Sequence, residues 1–282
     1  MITQKVCSYI GKCPLTNSSI CQNPPLEYFD VKTKKPAGEC LFAHLLAASE
    51  LWDKAAERNL YAILRLCHNY ISQETVTLYN IKMLIKSAII LHDAGKLCNE
   101  YYQFQKGTFR HEFLSACIGL EFVSDLENPL FQGELSRFIP IVAGSLLLHH
   151  ESRLMRTIWS SGDIELRWEH IMNYLPPEMN IKREYAESFK IFLQNILNYG
   201  WKPKEKYTKN DVIESSIMIL GLVNYNPKFP PYYIRALTGA FLNIISICDS
   251  ISAQRSRSGT DDSEKIQKWE RLINEWGRGF NE

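Results

Sequence analysis

Residues 78–96, LYNIKMLIKSAIILHDAGK, put His92 and Asp93 at the end of a run whose apolar residues recur every three to four positions. That period marks a helix with a buried face rather than a strand. The run predicts a strong helix closed by Gly95, a residue type that favours helix ends. Two polar side chains where the pattern calls for core need a reason. Either the pair is an accident of a helix end, or it holds a metal ion.

Working outward, the same periodicity recurs. LFAHLLAASELWDKAAERN (41–59) is helical and Ala-rich, and RHEFLSACIGLEFVSDL (110–126) reads the same way. LSRFIPIVAGSLLLHHES (135–152) is another helix, with Pro140 kinking it or marking its start. REYAESFKIFLQNILNYG (183–200) should stop at Gly200, and NDVIESSIMILGLVNY (210–225) should be capped by Asn210 or Asp211. YYIRALTGAFLNIISICDSISAQR (232–255) has the character of a buried helix, and SEKIQKWERLINEWGRG (263–279) that of an amphipathic terminal one. No series of alternating strands stands out, so the fold class is all-α, a helical bundle. Residues 1–38, with NPP and KTKKPAGE as breakers, form a mostly irregular N-terminal segment, and 39–282 form the helical domain.

Composition narrows the function classes. The 282 residues can bury a sizeable core. A net charge of +1 makes the whole molecule no magnet for polyanions, so nucleic-acid binding would need local patches. No run reaches the roughly 18 uninterrupted apolar residues of a membrane span, and the first residues lack the apolar centre of a signal peptide. The expectation is a soluble, cytoplasmic protein with no membrane partner. The eight cysteines contain no CxxC pair. Cys67, Cys98, Cys117 and Cys248 read as buried thiols in a reducing compartment. Cys7, Cys13 and Cys21 cluster in a polar region at irregular spacing, with a small metal or disulfide site as the alternative reading.

Five of the seven histidines, His44, His92, His111, His149 and His150, sit on or at the ends of these helices among apolar neighbours. Asp93 and Asp249 do too. Buried charges are costly unless paired or bound to metal. A shared cation is a reason to place several on separate helices, because it neutralises carboxylates and takes neutral imidazoles as ligands. Any one of these residues alone is a weak signal; the joint order H, HD with Lys three positions on, H, HH, D is a stronger one.

That order, carried by HDAGK, RHEFLSA, LLLHH and ICDSISAQR, resembles the HD-domain phosphohydrolases, and within them the stand-alone HD nuclease of type I CRISPR interference. The resemblance covers residues 40 to 260. It implies that His44, His92, Asp93 and Asp249 hold one metal, and that Asp93 bridges to a second held by His111, His149 and His150. It also implies a nuclease acting on single-stranded DNA, with RNA as an alternative substrate. Its partners would be a separate helicase subunit and an RNA-guided CRISPR complex. No GxxxxGK[ST] occurs, so this chain carries no P-loop motor of its own.

Phosphodiester hydrolysis suits such a ligand set, since two cations acidify a water and clamp the scissile phosphate. Mixed imidazole and carboxylate ligands favour Mn, Fe, Co or Ni, with Mg also able to serve. Successive helical residues diverge by about 100°, so the HD and HH pairs can converge on one centre only at helix ends or irregularities. The resemblance makes Asp93 the central catalytic carboxylate. Lys96 either holds a phosphate oxygen or is a solvated helix-end lysine. Arg110, Arg255 and Arg257 are candidate contacts to nucleic acid, as are Lys202, Lys204, Lys206 and Lys209 in a basic loop. Ser115 reads as a packing residue, Ser250 and Ser252 as helix packing or partners of Asp249, and His68 and His170 as structural or surface residues. Two other functions remain open: a nucleotide phosphohydrolase acting on deoxynucleotides or cyclic nucleotides, and a helical scaffold whose metal only stabilises the fold.

Overall fold

In the computed structural model the described residues are 7, 9, 11–30, 35–68, 71, 76–103, 109–150, 173, 175–225 and 230–258. The periodic runs become α1 (Leu41–His68), α2 (Leu78–Leu91), a short α3 (Asn99–Gln103), α4 (His111–Val123), α5 (Ile139–Leu148), α6 (Arg183–Leu197), α7 (Lys209–Asn224) and α8 (Pro231–Ser258). The terminal helix expected at 263–279 and His170 lie outside the described residues.

Two helices organise the rest. α5 is buried from Pro140 to Leu148, and α4 at nearly every position. A helix that is apolar all round belongs in the centre of a fold. α5 packs against α4, α7 and α8, while α1 lies across α2 and α8. Gly119 makes the α4–α5 contact possible, because an added Cβ there would stand 2.2 Å from Leu146 Cδ1. Pro140 falls in the first turn of α5, where its missing N–H costs nothing, so it starts the helix rather than kinking it. The stretch Tyr232–Gln254 has the length and hydropathy of a membrane span, but half of it is buried inside the fold. Its apolarity is that of a core helix.

The N-terminal segment is mostly turns, and it carries one hairpin that its Pro-rich text hides. β1 (Leu26–Asp30) pairs antiparallel with β2 (Lys35–Cys40). A second small pair joins β3 (Glu178–Asn180) to β4 (Lys206–Thr208). At three residues each, β3 and β4 are too short for a recognisable alternation.

Three helix boundaries differ from expectation. α2 ends at Leu91 with His92 as its C-cap, so Gly95 does not close it. α6 ends on Asn198 in the left-handed conformation (φ 58°), ahead of Gly200. α7 is capped by Thr208, whose hydroxyl accepts from the Asp211 N–H while the Asp211 carboxylate accepts from the Thr208 N–H. The sequence shows Asn210 and Asp211, but the reciprocal capping box needs a residue three positions before the acid. Thr208→Ala should therefore cost about 1 kcal/mol, and Asn210→Ala less than about 0.5 kcal/mol. Urea unfolding of the two variants separates these outcomes; equal losses would mean that Thr208 is not the cap.

Candidate metal centre

The HD pair lies where α2 stops. His92 is the C-cap, and Asp93 follows at φ −108°, ψ 10°, leading into a 3-10 turn, Ala94–Leu97. This sparsely allowed backbone region is common among active-site residues. The HH pair is placed the same way: α5 ends at Leu148, and His149 is its C-cap. Both doublets thus occupy helix ends, where successive side chains can turn toward one point. His44 enters from the first turns of α1, His111 from the first position of α4, and Asp249 from α8.

Asp93 is fully buried, and its two oxygens face different neighbours. Around Oδ2, the His44 Nε2 stands at 3.5 Å and the His92 Nε2 at 3.4 Å. Asp249 Oδ1 closes this set, 3.1 Å from His44 Nε2 and 3.5 Å from His92 Nε2. Around Oδ1, His111 Nε2 lies at 3.0 Å and His149 Nε2 at 4.0 Å. His150 joins this second set, its ring centre 5.0 Å from that of His111. In each set one atom per residue lies within 4.8 Å of the others. The first set is the more enclosed; His150 and the edge of Asp249 face outward.

The rings are aimed by bonds to their other nitrogen. His92 Nδ1 and His149 Nδ1 each lie 2.6 Å from a backbone carbonyl, Ile89 O and Leu146 O. A carbonyl only accepts, so Nδ1 carries the proton and Nε2 faces the centre. For His44 the partner is Ser252 Oγ at 3.0 Å, whose own proton goes to Asp249 O. Ser252 is thus a partner of His44, while Ser250 is exposed. Ser115 is more than packing, since its hydroxyl accepts from Gly95 N–H at 2.8 Å. Gly95 lets the HD turn press onto α4: an added Cβ would sit 2.2 Å from His111 O.

Whether a cation fits can be judged from unmet bonds. His44 Nε2, His92 Nε2, His111 Nε2, His149 Nε2 and Asp93 Oδ1 are buried without a hydrogen-bond partner. Orphaned buried polar atoms cost about 1–3 kcal/mol each. Five in one place, all of them nitrogen or oxygen donors, match the needs of a divalent ion.

Electrostatics agree. Burial raises the pKa of Asp93, yet His92, Lys96, His111 and His44 hold it well below the carboxylate range. Burial likewise works against Asp249, which His44 and His92 keep ionised. For His44 burial lowers the pKa, and Asp249 and Asp93 outweigh it, carrying it up to about 9. Burial and the surrounding imidazoles push His149 well down, so that ring is neutral.

The other expected contacts differ. Lys96 is buried rather than solvated, its ammonium 2.6 Å from Asp93 Oδ2. Arg110 is paired with the buried Glu112 and lies over the Phe113 ring. Glu112 had no sequence signal beyond being acidic. Lys202 pairs with Glu187 and Glu205, Lys204 with Glu121, and Lys206 with Glu178, so those lysines are no open basic patch. The side chains of Arg255 and Arg257 lie outside the described residues. His68 meets Val76 O and is structural.

No protein-family profile and no curated protein matches the sequence. Among solved structures, the fold is similar to the CRISPR-associated Cas3 HD domain protein from Methanocaldococcus jannaschii, at a TM-score of 0.53 and 17% identity. The match covers 79% of this chain and 99% of that one. The chain has the fold of an HD domain.

Two outcomes follow from the geometry. Gly95→Ala should destabilise the protein by about 1–3 kcal/mol through overpacking, because the atom it would strike is backbone; an unchanged melting temperature would contradict the close approach. His44, charged below about 9 in the metal-free chain, must lose its proton to become a ligand. Adding a divalent ion at pH 7 should release close to one proton, and affinity should rise toward pH 9. The metal-free fold shows the opposite trend, losing the stabilisation of that proton as pH climbs through about 9. Calorimetric titration in buffers of differing ionisation heat reads the release; heats independent of buffer would refute a charged His44.

Proposed function

We propose that the chain is a metal-dependent phosphodiesterase, a nuclease that cuts single-stranded DNA in CRISPR interference. The observation that carries this reading is the sharing of Asp93. One oxygen serves His44, His92 and Asp249, and the other serves His111 and His149 with His150 alongside. Two donor sets joined through one carboxylate suit a pair of divalent cations. When bound, such ions supply charge neutralisation at the scissile phosphate and a water acidified to a nucleophile at neutral pH. The imidazole-rich sets favour Mn, Fe, Co or Ni over Mg.

The chain's own groups do the rest. Asp93 stays ionised because Lys96 and the imidazoles surround it. Lys96 adds a fixed positive charge beside Oδ2, where a phosphate oxygen can also be held. The outward side of His150 and Asp249 is the natural entry for a strand. Arg255 and Arg257, which follow Asp249 on α8, are proposed to track its backbone. Arg110 is engaged by Glu112, so it holds that acid and the start of α4 rather than the substrate. Without a P-loop the chain needs a separate helicase to supply single strands, and an RNA-guided complex to select them. The likeness to a CRISPR-associated Cas3 HD domain supports that setting, and both partners would be met in the cytoplasm.

Purified protein with Mn should degrade single-stranded DNA, and Asp93→Ala should not. Hydrolysis of free deoxynucleotides or cyclic nucleotides with DNA left intact would move the assignment to a nucleotide phosphohydrolase. Full activity in a His149→Ala, His150→Ala double variant would remove the second donor set from the mechanism. Ser252→Ala should weaken metal binding about 10–100-fold, as for other partners of ligating histidines, with the fold intact by circular dichroism.

A further inference from the structure

The two donor sets are unequal in charge. His44 and His92 stand with two carboxylates, Asp93 and Asp249. His111, His149 and His150 stand with Asp93 alone, which they share with the first set. A divalent cation in a buried site needs negative charge around it. The second position is therefore one carboxylate short of the first.

A further carboxylate stands beside it. Glu112 is 2% exposed and follows His111 in the first turn of α4. Its Oε1 accepts from Arg110 Nε, and the Arg110 guanidinium lies 5.8 Å from the centre of the Phe113 ring. Its Oε2 is 3.9 Å from His111 Nδ1. The helix dipole favours an acid in a first turn, but a side chain in water serves it as well. Burial adds a cost that the dipole does not require, so the place of Glu112 asks for a second reason.

His111 supplies one. Its Nε2 is turned to the centre, 3.0 Å from Asp93 Oδ1 and without a hydrogen-bond partner. A neutral imidazole that ligates through Nε2 carries its one proton on Nδ1. His92 and His149 meet that need with backbone carbonyls. At His111 the facing acceptor is Glu112 Oε2. The pair is longer than a hydrogen bond. Even so, a negative charge at that range in buried surroundings favours the proton on the near nitrogen. Tyr101 packs edge-on against the ring with centres 5.4 Å apart, and the HD turn abuts the His111 carbonyl at Gly95. Both contacts fix where the ring sits.

We infer that Glu112 is a positioning residue for the second cation: its carboxylate keeps the His111 proton on Nδ1 and lends that donor set the charge it lacks, while Arg110 holds the carboxylate in place. The inference rests on the two-cation reading above. A carboxylate behind a ligating histidine raises the basicity of the ligand, and its loss lowers metal affinity about 10–100-fold.

The test is equilibrium dialysis of the full chain against Mn, with the bound metal counted and its electron paramagnetic resonance recorded. The unaltered chain should hold two Mn with the spectrum of a coupled pair. Glu112→Gln keeps the shape and removes the charge. It should hold one Mn at unchanged affinity, bind the second about 10–100-fold more weakly and show an isolated ion at the same Mn concentration. Arg110→Gln breaks the same ion pair but keeps the carboxylate; its metal-free melting temperature should fall, yet it should still hold two Mn. A Glu112 that only supports the fold would weaken both ions alike in Glu112→Gln, and that result would overturn the proposal. So would a second ion lost equally in both variants, or two ions held equally by Glu112→Gln and the unaltered chain. One Mn in the unaltered chain would overturn the two-cation reading itself, so the two failures are told apart.

None of these readouts involves hydrolysis.

Discussion

A carboxylate with no access to water sits at the meeting point of five helices, and the arrangement around it follows from keeping it charged. Asp93 can remain ionised only if positive or hydrogen-bearing groups surround it. Lys96 supplies one from its own turn, and His44, His92 and His111 supply others from α1, α2 and α4. That requirement dictates which helix ends must meet. It also explains why the HD turn is pressed so tightly on α4 that only Gly95 fits. Gly95 and Ser115, which look like ordinary small residues, form the contact that sets the distance from Asp93 to His111.

Much of this was legible in the sequence because the physics is local. Three- and four-residue spacing reports a buried helix face whatever the partner, so the helices and their order could be read directly. His92–Asp93 and His149–His150 stood out because polar doublets in apolar text are expensive. The need for helix ends at both came from the 100° between neighbouring residues. The details that escaped depend on geometry outside the local window. Gly95 and Gly200 read as helix stops from residue type, but the stops fall at His92 and Asn198. Thr208 was hidden by the more conspicuous Asn210 and Asp211.

Charge was the least readable property. Lys202, Lys204 and Lys206 look like a basic stripe in a linear text, but each folds onto a glutamate from elsewhere, as distant as Glu121 on α4. Arg110 likewise spends its guanidinium on the adjacent buried Glu112. Lys96 shows the reverse case. Its environment could be solvent or site as far as spacing tells, and only packing of the 3-10 turn decides for burial beside Asp93. Composition counts charges, whereas their use depends on what the fold sets opposite them.

The histidines show how one residue type is made both satisfied and available. In His92 and His149 the Nδ1 atom is bonded to a carbonyl, and the Nε2 atom is left facing other donors. The first bond locks the ring and its tautomer; the second position is a standing deficit that the protein alone does not repair. Such a deficit persists only where the surroundings are too rigid to relax around it. Here α4 and α5, buried at nearly every position, supply that rigidity, and the ends of these same helices carry His111, His149 and His150. The core is therefore part of the site: its stability holds the donors in a geometry that the metal-free chain would otherwise collapse.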